Sequence, residues 1–147
     1  MLRYSFSILL LLSACESFDY NVSDEFRPFV NIFFEEAARY GYDFDKDNLV
    51  IKFKDSLAQK KGYAAYSVLG YNKETENRIY VDTEIWNRSS YAYNELTIFH
   101  ECGHIFLCRT HQVYPIGVMN SPPDVGQWES RREEMIRELF SKKSCNY

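Results

Sequence analysis

The chain has 147 residues, enough for one domain around one core. It is 46% hydrophobic and 26% charged, and its twelve tyrosines and eleven phenylalanines point to a core built from large flat side chains. The net charge of -4 gives no reason to expect nucleic acid or an anionic membrane as an electrostatic partner.

The first residues, "MLRYSFSILLLLSAC", read as a targeting segment rather than as fold. Arg3 supplies a short basic region, and the apolar run from Phe6 to Leu12 is too short to span a bilayer as a helix. The run ends in Leu12-Ser13-Ala14-Cys15, which resembles the bacterial lipoprotein box. The other readings are a plain signal peptide and a buried N-terminal strand. The resemblance implies cleavage before Cys15 and lipid on its sulfur, which anchors the protein to a membrane face without spanning it. The expected organisation is a signal peptide over 1–14, a lipidated polar tether over 15–25 and a folded domain over 26–147. The expected location is the bacterial cell envelope, lipid-anchored, on either the periplasmic or the outer side.

"RPFVNIFFEEAARYG" carries Phe29, Ile32, Phe33 and Ala37 at helical spacing, with Gly41 placed to stop the helix. "NLVIKFK" alternates Val50 and Lys52 with Ile51 and Phe53 and reads as a strand. "YAAYSVLGY" is a weaker strand signal, and "RIYVD" (78–82) a third, reached through the polar turn "NKETEN". A long helix is expected from Tyr91 to Leu107. The tail "GQWESRREEMIRELFSKK" reads as an amphipathic helix carrying Trp128, Met135, Ile136 and Leu139. The predicted class is α+β: a small mixed sheet over a long helix, flanked by N- and C-terminal helices.

All three histidines of the chain, His100, His104 and His111, fall in "FHECGHIFLCRTHQVYPIGVMN". His100 and His104 are four apart on the predicted long helix, so one helix face presents both imidazoles to one point. Glu101 reaches the edge of that point without being a ligand. This H-E-x-x-H arrangement lets two imidazoles hold a metal while the carboxylate works on water; the bland alternative is a solvated helix face. His111 is the natural third ligand. A continuous helix would rise about 16 Å from His100 to His111, so the helix must end soon after Ile105 and turn back. Glycine usually makes such a turn, but none lies between 105 and 111.

The stretch resembles the metzincin zinc peptidases, and among them the matrixin branch, with the pattern H-E-x-x-H-x-x-G-x-x-H and then a methionine-containing turn. His100, Glu101 and His104 match, and Gly103 matches the small residue common before the second histidine. His111 falls one residue late, and Leu107 stands where the glycine is expected. Met119, in "PIGVMNS", lies eight residues after His111, similar to the matrixin spacing. The segment also resembles a group of small lipoproteins of gut-type bacteria with H-E-L-G-H-x-x-L-x-R-x-H and then S-I-M-N, in which Leu107, Arg109, His111, Met119 and Asn120 find counterparts. These resemblances imply one catalytic zinc held by His100, His104 and His111, Glu101 activating water, and Met119 supporting the site from below. They also imply a peptide or protein substrate laid along the edge strand of the sheet, either "RIYVD" or the segment before it.

Two other readings stay open. The third ligand is one of Glu129, Glu133 and Glu134 on the last helix, as in another class of H-E-x-x-H enzymes. Or the chain is an inactive, zinc-stabilised binding or structural lipoprotein, with Cys102 or Cys108 near enough in sequence to close the site. One disulfide plus one buried thiol is expected among Cys102, Cys108 and Cys145, with a link from Cys108 to Cys145 as a candidate. Tyr114 is a candidate helper that reads more simply as a surface tyrosine.

Overall fold

A computed structural model describes residues 21–70, 76–113 and 115–141. The expected signal peptide, the lipidation at Cys15, Cys145, Tyr114 and most of the "NKETEN" turn lie outside these residues. The order of elements is β1 (Asn21–Val22), α1 (Arg27–Arg39), β2 (Leu49–Lys54), α2 (Leu57–Lys61), β3 (Ala65–Val68), β4 (Asn77–Asp82), α3 (Thr83–Arg88), α4 (Tyr91–Leu107) and α5 (Val125–Ser141). The class is α+β, as the sequence predicts. The four strands form one mixed sheet in the order β1-β2-β4-β3. β1 and β4 run parallel to β2, and β3 runs antiparallel to β4. Asn21 and Val22, which read as tether in the sequence, pair with Val50 and Ile51 of β2. No described helix is long and apolar enough to cross a membrane.

β4 lies inside the sheet and β3 is its free edge, so of the two candidates for the edge the segment before "RIYVD" takes it. The register pairs Ala65 with Val81 and Ser67 with Ile79. Asp82 N–H donates to the Ala64 carbonyl at 2.8 Å, which makes Ala64–Asp82 a hydrogen-bonded pair. Pairing in antiparallel ladders alternates. The main-chain N–H and C=O groups of Ala65 and Ser67 therefore point away from β4, along the open edge.

One side of the sheet is covered by helices, and α4 runs through the middle of the core. Leu96, Ile98, Phe99, Cys102 and Leu107 on this helix are almost wholly buried. Ser90 starts α4 by accepting a hydrogen bond from the Tyr93 N–H at 3.2 Å. A buried ionic network fixes α4 against its neighbours. Glu95 accepts from Trp128 Nε1 and from Arg132 Nη2, each at 2.9 Å. Arg132 Nη1 also lies 3.6 Å from Glu36 on α1.

The aromatic core is centred on Phe33, which is 0% exposed. Its ring meets Phe34, Phe99 and Phe140 at centroid distances of 5.5, 5.4 and 5.5 Å, with Phe106 at 6.0 Å. Three helices meet on this one side chain. Phe33→Ala should cost about 3–5 kcal/mol of unfolding free energy, measured by denaturant titration of the metal-free chain. A loss under about 1 kcal/mol would show that the cluster repacks around the gap.

Candidate metal centre

The centre is built on the C-terminal half of α4 and on the turn that follows it. His100 and Glu101 are buried and His104 is half-buried, while His111 stands exposed on the turn. α4 ends as the spacing requires, straight after Leu107. Cys108 takes the left-handed conformation (φ 50°, ψ 35°) that glycine usually supplies. Arg109 N–H donates back to the Gly103 carbonyl at 3.0 Å, closing the helix end. Three residues later the chain delivers His111. Gln112 N–H then donates to the Met119 carbonyl at 3.0 Å and joins the turn to the segment below the helix.

The ring nitrogens converge. His100 Nε2 lies 3.1 Å from His111 Nε2 and 3.2 Å from His104 Nε2. The far sides of two rings fix their tautomers. His100 Nδ1 meets the Val118 carbonyl at 2.8 Å, and His104 Nδ1 meets the Arg109 carbonyl at 2.5 Å. A carbonyl only accepts, so each Nδ1 carries the proton and each Nε2 turns a bare lone pair inward. A single N–H could satisfy one pair of these nitrogens but not all three. One cation satisfies the whole set. Tetrahedral zinc with nitrogen ligands at about 2.0–2.1 Å has N···N edges of about 3.3–3.4 Å, close to the two short separations seen here. Main-chain carbonyls orienting the outer nitrogens are what metal-binding histidines commonly have. The donor set therefore fits a metal ion such as zinc, and His100, His104 and His111 form a possible metal site.

Met119 is buried beneath this arrangement. A Cβ placed on Gly103 would come 2.7 Å from the Met119 sulfur and 3.3 Å from Leu139 Cδ1, so the glycine between Glu101 and His104 lets both side chains press up against α4.

Glu101 sits where the two sides of a cleft meet. A cavity of about 600 Å³ lies on one side and one of about 260 Å³ on the other, and Tyr63, Ala65, Glu101 and His111 line both. Burial raises the Glu101 carboxyl to about 7, while the hydroxyl and main-chain N–H of Ser67 pull in the other direction. Ser67 Oγ and N–H belong to the free edge of β3, which places that edge beside the carboxylate. Glu101 Oε2 is buried without a hydrogen-bond partner. Burial also pushes His100 down to about 4, so its imidazole is neutral at physiological pH, and it lowers His104 in the same direction.

These shifts have opposite consequences for the metal-free chain. His100 loses basicity on folding, so its contribution is complete above about pH 6.5 and is lost as pH falls toward 4. Glu101 holds its proton more tightly when folded, so its contribution is complete below about pH 4.5 and is lost as pH rises through 7. The two slopes oppose each other between those limits. Glu101→Gln should remove one of them. The stability of the variant in chelator should then rise more steeply with pH than that of the wild type between about 4.5 and 6.5, by up to about 3 kcal/mol. Urea titrations at four pH values check this, and parallel curves would contradict it.

The competing ligand sets do not assemble. Glu129, Glu133 and Glu134 are exposed on the outer side of α5, and Glu134 pairs with Arg131 at 2.7 Å. Cys102 is a free thiol buried in the core, and Cys108 is disulfide-bonded. Among the described residues, His100, His104 and His111 make up the only group of three metal-binding side chains. The candidate Cys108–Cys145 link has one end outside the described residues.

Ser67 and the carbonyls of Val118 and Arg109 are parts of the centre that the sequence did not disclose. Ser67 lies in a strand read only for its hydrophobic pattern, and main-chain groups leave no side-chain signature. Comparison with models of known protein families, with curated proteins and with solved structures finds no match for this chain.

Proposed function

We propose that the protein is a zinc-dependent peptidase, anchored to the bacterial envelope by lipid on Cys15, with His100, His104 and His111 holding the metal and Glu101 acting as general base. The observation that carries this reading is the convergence of three imidazole nitrogens, two of them held unprotonated by main-chain carbonyls on the far side of the ring, beside a buried carboxylate with one unpartnered oxygen. A purely structural metal site has no use for such a carboxylate and is usually closed by a fourth protein ligand.

Bound zinc would supply a Lewis acid and lower the pKa of water to about 7. The open edge of β3 offers the N–H and C=O of Ala65 to an extended peptide, which adds to the sheet as a further strand. That alignment lays the scissile bond across the junction of the two cavities, over Glu101 and His111. Glu101 Oε2 takes a proton from the attacking water and returns it to the leaving nitrogen. The positive site would draw the carboxyl back below 7, so Glu101 is ionised when the cycle begins.

The test is cleavage of a broad peptide library followed by mass spectrometry, with zinc-loaded protein, chelated protein and chelated protein given zinc again. Cleavage lost with chelator and restored with zinc supports the proposal. One-to-one zinc without cleavage of any peptide would favour the inactive binding or structural lipoprotein instead.

A further inference from the structure

The turn that carries His111 is built without the glycine such a turn normally uses, so something else must hold it. Cys108 lies in the left-handed region, which is unfavourable for a residue that carries a Cβ. The contacts of the next residue show where compensation comes from. Arg109 donates from Nη2 to the Leu139 carbonyl at 2.9 Å and from Nε to the same oxygen at 3.3 Å. Leu139 lies in the last turn of α5, where carbonyls lack helical partners and the negative end of the helix dipole attracts a cation. Arg109 therefore caps α5 from thirty residues upstream. Its own carbonyl meanwhile receives the Nδ1 proton of His104, and its N–H closes α4. The side chain of Leu139 lies under Gly103, between the two halves of the histidine motif. Tyr42 Oη adds a second bond to the end of α5, donating to the Phe140 carbonyl at 3.1 Å. Cys108, at the start of the same turn, is itself disulfide-bonded.

We infer that Arg109 is a positioning residue of the metal centre: by capping α5 it fixes the turn over 108–111, and so sets both the orientation of His104 and the place of His111. The inference rests on the three-histidine site proposed above. It makes the C-terminal end of α5, which supplies no ligand, part of the machinery that holds the metal.

The experiment uses the full chain and zinc alone as the probe. Zinc affinity is measured by chelator competition for wild type, Arg109→Ala, Arg109→Lys and Arg131→Ala, the last being an exposed arginine on α5 away from the cleft. Arg109→Ala keeps the main-chain carbonyl that His104 meets but frees it from α5, and should bind zinc about 10–100-fold more weakly, the range typical when the groups that orient a metal ligand are disturbed. Arg109→Lys, which keeps the charge and one hydrogen bond to Leu139, should recover most of that loss, and Arg131→Ala should match wild type. The visible absorption of the cobalt-substituted protein gives a second readout: Arg109→Ala should shift it toward the spectrum of His111→Ala. A purely structural role would lower the metal-free melting temperature and leave zinc affinity within twofold of wild type, and that result overturns the inference. Wild type without zinc would overturn the three-histidine site itself, and this inference with it.

Discussion

Glu101→Ala should bind zinc one-to-one and cleave peptides about 10²–10⁴-fold more slowly than wild type. The carboxylate is next to His100 in sequence, but the helix directs it past the ring cluster and into the cleft, where it lines both cavities without joining the ligand set. Removing it leaves the three nitrogens and their carbonyl partners in place. It also removes a buried carboxyl with one unsatisfied oxygen, a group that costs stability wherever it is charged. The metal-free variant should therefore unfold at no lower denaturant concentration than wild type. Activity falling by orders of magnitude while zinc and stability hold is a combination that a decayed binding protein cannot produce. Peptide cleavage at the wild-type rate would remove Glu101 from the mechanism and leave only the metal site.

The parts of the fold that the sequence discloses are those in which local pattern and burial agree. α4 runs from Tyr91 to Leu107 as read, because Ser90 supplies a cap and apolar residues fill the helix to its end. β2, β4 and α5 begin within a residue of the expected positions. The sequence pattern does not disclose β1, α2 and α3. β1 is two residues long and exists only because β2 offers an open edge. α2 and α3 are five and six residues long, too short to show a period. The signal for α3 was nonetheless present: Asp82 ends β4 and caps the helix by accepting from the Ile85 N–H at 2.9 Å, while its other oxygen takes the Ala58 N–H of α2 at 2.9 Å.

The centre divides in the same way. The four-residue spacing of His100 and His104 reports helix geometry directly, and so it was legible. The glutamates of α5 stay open as ligands in the sequence, and the structure removes them: Trp128, Met135, Ile136 and Leu139 form the buried face of α5, and Glu129, Glu133 and Glu134 lie exposed off it. The need for a turn to His111 follows from the spacing, but its construction does not. Its missing glycine is offset by a bond from Arg109 to a carbonyl thirty residues away, and no local reading contains that distance.

His111→Ala should weaken zinc binding more than 100-fold and leave the metal-free fold almost unchanged. The two halves of this expectation have separate causes. His111 is exposed on its turn, and substitution of an exposed residue away from caps and special backbone conformations usually changes stability by less than about 0.5 kcal/mol. The turn keeps its own fastenings, the Arg109 bond to Leu139 and the Gln112 N–H on the Met119 carbonyl. In the zinc-loaded protein proposed above, the same side chain would be one of three metal donors. Its loss removes a direct bond, which should exceed the roughly 10–100-fold effect of losing a partner of a ligand. The remaining pair, His100 and His104, would have to recruit water in its place. Chelator competition and chemical unfolding of the same preparations separate the two effects. Glu133→Ala serves as the control and should bind zinc like wild type, because its carboxylate lies on the solvent side of α5. Unchanged zinc affinity in His111→Ala would mean that the nitrogen 3.1 Å from His100 Nε2 is a bystander, and the metal would then need a donor from outside the described residues.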